Sequence, residues 1–498
     1  MFSTVKTKIL FIVFICTLPF NSSLSNAEPQ EQDVLDAMRK ASEFMVDTVS
    51  CNGGFVYQYL PDLSYRWGEA PARPSQIWVQ GSTPDTGEMF LNVYTITGDA
   101  YYLKCAKKAA NALIYGQHPL GGWHYFIDFD KPGLDKWYKE VFSQFKWGME
   151  EYRHYYGNCT YDDNTTQGAT RFLLRLYMTT LDPVYREPLL KALDFILMSQ
   201  YPNGGWPQRY PLRYEFVHDG LADYTSYYTM NDNSMRDIID VLVEAWEKLG
   251  NEAYLKAALR GMDFMILAQG PEEQAGWAEQ YDVNLKPAWA RTHEPSGYMP
   301  RQSEQCINQL MDFYLLTGDR RYLKPIPPAI RWMERSSFKD LGNGRFELAR
   351  YYEAGTNKPV FQIKTGRVNE EGYGLYEYTD NPDKVVAGGW TFTTVDIGRM
   401  ERRYDRISAL TPGEAIAEYK ALKDRKPAAQ DVDPKEVQEL LNSMDKRGAW
   451  LYEVKVYDMS ITMESEDPRV PRKVISTPHF ITNMNILARY IGYVRSKD

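Results

Sequence analysis

Cysteine is scarce in this chain, with five in 498 residues. Cys16 lies in a leading apolar run, and Cys51, Cys105, Cys159 and Cys306 share no metal-ligand spacing and form no dense framework. That counts against a structural zinc site and a disulfide scaffold, and the four read mainly as buried hydrophobes. Excess positive charge is also missing, since 66 acidic residues outnumber 57 Lys and Arg for a net charge of -9. Nucleic acid is therefore a poor partner, and an acidic ligand would need a local basic cluster or a bound cation. Long apolar runs are limited to Ile9 to Phe20, which follows Lys6 and Lys8 and precedes a polar stretch ending in Ala27. A run of about twelve residues is too short for a bilayer core of roughly 30 Å and has the layout of a secretory signal peptide. The mature chain is thus expected to start near Glu28, secreted or periplasmic, with no membrane span and as a monomer.

Aromatic residues make up 14% and hydrophobic residues 44%, enough for a sizeable core. A pattern recurs four times: a helical segment, a turn ending in tyrosine, a second helical segment, and, after the first three, a glycine-tryptophan loop. The turns begin at Gly98, Leu181, Gly250 and Gly318, and their tyrosines Tyr102, Tyr185, Tyr254 and Tyr322 lie 83, 69 and 68 residues apart. In the third copy Met235, Ile238, Ile239, Leu242 and Trp246 fall at helical spacing, and Leu255, Ala258, Leu259 and Met262 do so after the turn. Gly250 stands where a left-handed residue would end the first helix. Each copy is then a helix pair whose apolar face a neighbour must cover. A few long copies favour closure over an open solenoid. The expected fold is all-α, an (α/α) toroid of helical hairpins with a long loop-bearing rim and small β elements. It would occupy residues 28–370 after a leader at 1–27, with 371–498 completing or capping it. In that last stretch Gly388 to Trp390 and Thr477 to Tyr490 resemble further copies, and Leu422 to Lys435 reads as an exposed connector.

The loops Gly121-Gly122-Trp123, Gly204-Gly205-Trp206 and Gly276-Trp277 should gather at one end. Glycine admits a close ligand and tryptophan offers a face for a sugar ring, although the same tryptophans could plug the end of the ring. The first helices begin at that end with Asp162-Asp163-Asn164 and Asn231-Asp232-Asn233. Calcium takes roughly six to eight oxygen ligands, which such clusters could partly supply, while helix capping is the plainer reading. A proline-flanked loop, Lys286 to Pro295, carries Trp289, Arg291 and His293, and Arg350, Lys364 and Arg367 follow. Together these supply positive charge, unless salt bridges to Glu294 or Glu353 use it up.

These residues resemble the pectate lyases of polysaccharide lyase family ten, whose catalytic domain is an α/α toroid. The resemblance runs from roughly Asn52 to Arg367. It is carried by Asp163-Asn164-Thr165-Thr166 with Arg171-Phe172-Leu173, Tyr201 to Gln208, Met230-Asn231-Asp232, Pro287-Ala288-Trp289-Ala290-Arg291 and Ala349 to Glu353. It implies a calcium-dependent β-elimination on an acidic, uronate-containing polysaccharide of the pectate type. Asp163 and Asp232 would hold calcium, Asn164 would lie beside them, and Arg291 would be the base. Arg350 and either Lys364 or Arg367 would bind uronate carboxylates, with Trp206, Trp289 and His293 as further substrate contacts. Thr292-His293-Glu294 departs from the family's run of Tyr and Glu after the base, and Tyr214 to Tyr228 looks like an insertion facing the groove. An arginine acts as base only when neutral, and its ordinary pKa above roughly 12 points to an alkaline optimum.

Two other functions fit the residues. A glycoside hydrolase could use Asp163 and Asp232 as acid and base if they stood roughly 5 to 10 Å apart, but it would give no ultraviolet-absorbing unsaturated end. A non-catalytic toroid could bind sugar on Trp123, Trp206 and Trp277. A terpene cyclase, suggested by the Gln-x3-Gly-x-Trp spacing at Gln117 and Gln200, lacks its Asp-x-Asp-Asp acid motif.

Overall fold

The computed structural model describes residues 28–137, 157–212, 223–291, 293–368, 374–385, 391–424, 432–457 and 469–497. Gly388 to Trp390, the Tyr214 to Ala222 part of the insertion and residues 425–431 of the connector lie outside the described residues. After α1 (Glu31–Glu43) come four hairpins: α2 (Thr83–Thr97) with α3 (Ala100–Tyr115), α4 (Thr165–Thr180) with α5 (Pro183–Met198), α6 (Ser234–Leu249) with α7 (Glu252–Leu267), and α8 (Pro300–Thr317) with α9 (Ile326–Ser336).

The turns explain why each pair folds back. Gly98, Gly250 and Gly318 end their helices with φ of 74°, 69° and 70°, a conformation that glycine adopts without a Cβ penalty. The next residue in each copy, Asp99, Asn251 or Asp319, accepts a hydrogen bond from the backbone N–H two positions on and opens the following helical turn. In the second copy Leu181 takes the glycine's place at φ 51°, with its side chain in solvent. The turn tyrosines Tyr102, Tyr185, Tyr254 and Tyr322 are all buried.

The first helices of successive pairs stand side by side, α2 against α4 and α4 against α6. The chain after residue 370 covers both ends of this row: α11 (Pro412–Asp424) packs on α8 and α13 (Thr477–Arg495) on α2, while α10 (Ile397–Ser408) lies against α8 and α9, and α12 (Pro434–Ser443) against α13. The fold is an (α/α) toroid, and one hydrophobic cluster runs through it from Val34 to Ile491. The first helices, with α11 and α13, surround a cavity of about 960 Å³ whose wall is charged. Arg175 of α4 spans it between Glu88 of α2, at 2.5 Å, and Glu244 of α6, at 2.8 Å.

The glycine-tryptophan loops are joints between hairpins. Trp123, Trp206 and Trp277 are wholly buried, and each indole N–H donates to a carbonyl of the helix it follows: Leu113, Ile196 and Met265, at 2.8, 2.9 and 2.7 Å. Gln117, Gln200 and Gln269 each donate both to their own loop and to a carbonyl of the next hairpin, at Pro188, Ala257 and Pro325. A Cβ on Gly121 or Gly204 would sit 2.1 Å from the carbonyl oxygen of Lys191 or Arg260 in that next hairpin. These glycines therefore admit a neighbouring helix, not a ligand.

Short strands rise over the rim. β1 (Arg345–Ala349) pairs with β5 (Phe392–Asp396), and β3 (Pro359–Val368) pairs on one side with β2 (Tyr351–Tyr352) and on the other with β4 (Gly374–Thr379), all antiparallel.

Candidate active site

The rim ends of α4 and α6 begin the same way. Asp163 and Asn164 are both left-handed, at φ 48° and 58°, and so are Asp232 and Asn233, at 48° and 62°. Asp and Asn tolerate this region better than other side chains, which suits their place here. The simple capping reading fails, because neither Asn164 nor Asn233 makes a side-chain cap to the helix it precedes. The turns instead bring carboxylates together: oxygens of Asp162, Asp163 and Asp232 lie within 4.8 Å of one another.

The residues that follow the buried tryptophans back up these turns. Tyr125, two after Trp123, donates to Asp162 Oδ2 at 2.7 Å. The carbonyl of Gln208, two after Trp206, accepts from Tyr161 N–H at 2.8 Å, and that of Glu279, two after Trp277, accepts from Met230 N–H at 2.7 Å. A residue far to the N-terminal side joins them: Gln80 Nε2 donates to Asp163 Oδ2 at 2.5 Å and to Glu69 Oε1 at 3.0 Å.

The electrostatics suit a cation. Burial and the charges of Asp162 and Asp232 push the Asp163 carboxyl up to about 9. Asp232, whose side chain is 45% exposed, is also raised, by partial desolvation and by Asp162, with Arg291 pulling the other way. Asp162 is almost fully buried, and its Oδ1 has no hydrogen-bond partner in the protein. Three hard oxygen donors that repel one another, one with an unsatisfied buried oxygen, match the preference of calcium for carboxylate ligands.

Arg291 reaches this cluster. Its Nη2 lies 4.0 Å from Asp232 Oδ2. Glu294 fixes the guanidinium, accepting from Nε at 3.0 Å and from Nη2 at 2.6 Å, and also accepts from the Arg291 backbone N–H at 3.2 Å. Asn231 Nδ2 donates to the same carboxylate at 3.2 Å. Burial alone would raise Glu294, but Arg291 draws it down to about 2. The anticipated salt bridge to Glu294 thus forms, and it holds the guanidinium toward the acid cluster. Lys286, expected to add positive charge nearby, is exposed. The carboxylates of Glu279, Glu294 and Asp232 dominate this corner. Glu279, raised to about 7 by burial and Glu294, accepts from Tyr351 Oη at 2.6 Å and lies 3.8 Å from Arg350 Nη2.

The other candidates separate. Asn164 sits in the left-handed turn with a buried Oδ1 that has no protein hydrogen-bond partner. His293 lies beside Tyr376, ring centroids 6.1 Å apart, and its carbonyl accepts from Gln362 of β3. Lys364 and Arg367 have different neighbours on β3, whose register with β4 shifts between Lys364 and Val368. Lys364 is opposite Tyr376 and shares a face with Gln362, the face turned to His293. Arg367 pairs with Glu377 at 3.0 Å, and Glu377 is opposite Ile363 on the other face. Lys364 thus lies on the His293 side of the strand, whereas Arg367 is engaged by Glu377. Trp289 is 36% exposed on the rim loop. Trp206 is corrected: with no exposed surface and its N–H bound to Ile196, it cannot stack on a sugar.

Glu69 and Gln80 escaped the sequence reading, and Asp162, placed there in the rim cluster, was not assigned to the metal. Asp162 carried a weak signal, since it occupies the repeat position of Asn231, but nothing in the sequence ties Glu69 or Gln80 to the rim.

A family model described as pectic acid lyase matches residues 132–373. No curated protein matches the chain. Among solved structures, the family 10 polysaccharide lyase from Cellvibrio cellulosa aligns at 19% identity over 68% of this chain and 96% of that one, with a TM-score of 0.40. A mutant of the Cellvibrio cellulosa lyase in complex with trigalaturonic acid aligns at 18% identity over 69% and 98%, TM-score 0.39. The GH76 alpha-mannanase of Bacteroides thetaiotaomicron aligns at 10% identity over 94% and 97%, TM-score 0.42.

Proposed function

We propose, from the premise that residues 132–373 are a pectic acid lyase segment of a polysaccharide-acting enzyme, that this protein is an exported lyase cleaving a pectate-like uronan by β-elimination with Arg291 as the base. The observation that carries the reading is the approach of Arg291 to Asp232, at 4.0 Å, beside a three-carboxylate cluster suited to calcium.

Asp162, Asp163 and Asp232 would hold the ion, with Gln80 orienting Asp163 and Tyr125 orienting Asp162. Calcium, when bound, offsets the negative charge of a uronate carboxylate and so favours loss of the neighbouring C5 hydrogen. Arg291 in its neutral form takes that proton, and the C5–H electron pair becomes the C4–C5 double bond. The C4–O bond breaks with its electrons, and the departing oxygen is protonated from solvent. Glu294 fixes the plane of the guanidinium, so little orientation is left to acquire when the sugar arrives. Arg350 and Lys364 bind further carboxylates along the chain, and Asn164, His293 and Trp289 complete the walls.

The test is incubation of the purified protein with polygalacturonate, with calcium and with chelator, followed by ultraviolet absorbance. Calcium-dependent absorbance that disappears in Arg291→Ala is expected. New reducing ends without absorbance would instead favour a hydrolase using Asp163 and Asp232, and chelator-resistant absorbance would remove the metal from the mechanism.

A further inference from the structure

A second cleft of about 550 Å³ opens between the rim loop that carries Arg291 and the β3–β4 hairpin. Its wall includes Trp289, Ser296, Lys358, Tyr378, Thr379 and Asp380. Trp289 and Tyr378 meet edge to face, centroids 5.0 Å apart at 87°, and make an apolar corner. Trp289 keeps about a third of its surface in solvent although Ala290 beside it is buried. The loop is braced by Ser296 Oγ, which donates to the Pro287 carbonyl at 2.7 Å, and by Ala290 N–H, which donates to the Glu294 carbonyl at 3.2 Å. Two residues of backbone span at most about 7 Å, so Trp289 stands within a sugar ring or two of Arg291.

The chemistry of this cleft differs from that of the catalytic corner. Among its described lining residues the charges are two carboxylates, Glu353 and Asp380, against one ammonium, Lys358. Those described residues include no guanidinium to receive a uronate carboxylate. An aromatic corner favours the C–H face of a pyranose, and carboxylates beside it accept from sugar hydroxyls while repelling a second carboxylate. Tyr378, Thr379 and Asp380 also lie beyond residue 373, where the family match ends.

We propose that this cleft is a subsite for an uncharged pyranose, either a neutral sugar or a uronate whose carboxyl is esterified, in a chain whose neighbouring uronate sits at Arg291. The proposal rests on the lyase reading for the placement of that uronate. It makes a pectic polymer with interspersed uncharged units a better substrate than a fully acidic one.

Binding separates the two ideas. Arg291→Ala protein, which would hold substrate without cleaving it, is titrated with three oligosaccharides of equal length: fully de-esterified galacturonate, one alternating methyl-esterified with free galacturonate, and one alternating a neutral sugar with galacturonate. Either or both of the uncharged arms should bind about three- to tenfold more tightly than the acidic one, and the arm that does so identifies the source. Adding Trp289→Ala or Tyr378→Ala should bring the affinities together, and Asp380→Lys should turn the preference toward the acidic oligomer. Equal affinities in Arg291→Ala, or a preference unmoved by all three second substitutions, overturns the subsite. If the preference holds while the unmodified protein forms no unsaturated product from any polymer, the subsite stands and the lyase reading fails.

Discussion

Both ends of the helical hairpins use left-handed residues, but with different chemistry. At the turn end the residue is glycine in three copies, Gly98, Gly250 and Gly318, where the conformation costs little. At the rim end it is a consecutive Asp–Asn pair, twice, where each side chain makes the conformation less favourable. A turn needed only for chain reversal would be better served by glycine. At the rim the side chains are retained against the backbone preference, and it is there that three carboxylates crowd within 4.8 Å. Strain at equivalent positions of two repeats, combined with like charges in contact, is a cost in stability that a ligand site at the rim would account for.

Substitutions can break this comparison, and the largest effect is expected at Arg291. Arg291→Ala should lower formation of unsaturated product by about 10²- to 10⁴-fold with the helical content unchanged, followed by absorbance and circular dichroism. Next comes removal of the rim carboxylates. Asp163→Ala and Asp232→Ala should each abolish the response of activity to calcium, seen as titration curves that no longer rise with added ion. The same carboxylates make a pH prediction for the metal-free protein. The Asp163 carboxyl sits near 9 in the folded chain against 3.8 as its ordinary value, so the folded state holds the proton more tightly. Stability from this group is present at low pH and is lost as pH rises from about 4 toward 9. Melting temperature in chelator should fall across that window, Asp163→Asn should flatten the fall, and calcium should oppose it most on the alkaline side.

Smaller effects sharpen the contrast. Trp206→Phe removes a buried hydrogen bond and should cost about 1 to 2 kcal/mol by denaturant unfolding, with kcat on polygalacturonate unchanged; a selective rise in KM would return Trp206 to the substrate. Smallest is Leu181→Gly, which restores glycine at the turn end and should stabilise by about 1 kcal/mol. Asp232→Gly relaxes the same backbone conformation at the rim but should eliminate calcium-dependent turnover. If Asp232→Gly keeps that turnover, the rim turns are no more specialised than the closed ones.

The hairpins were legible because helical spacing and the tyrosine turns recur within each copy, and both are local signals. The convergence of Asp163 and Asp232 was legible because they hold the same place in successive repeats. Asp162 was harder to see, since its counterpart is Asn231 and only the fold shows that both serve one cluster. Gln80 and Glu69 were out of reach, because their approach to Asp163 depends on where the chain before α2 lies. Trp206 was misread because a tryptophan after two glycines has the same sequence whether its ring faces a ligand or a helix. Lys364 and Arg367 could not be told apart in the sequence, because only strand pairing sets Lys364 opposite Tyr376 and only the fold brings Arg367 to Glu377.

The bridging glutamines carry a consequence for how the molecule comes apart. Because Gln117, Gln200 and Gln269 each hold the following hairpin as well as their own loop, a pair that detaches takes hydrogen bonds from its predecessor. An open array of repeats can fray from its ends, one unit at a time. Here the two outer hairpins are instead covered by the later chain, α13 on α2 and α10 and α11 on α8, so neither is a bare end unit and melting should be a single cooperative event shared by every copy.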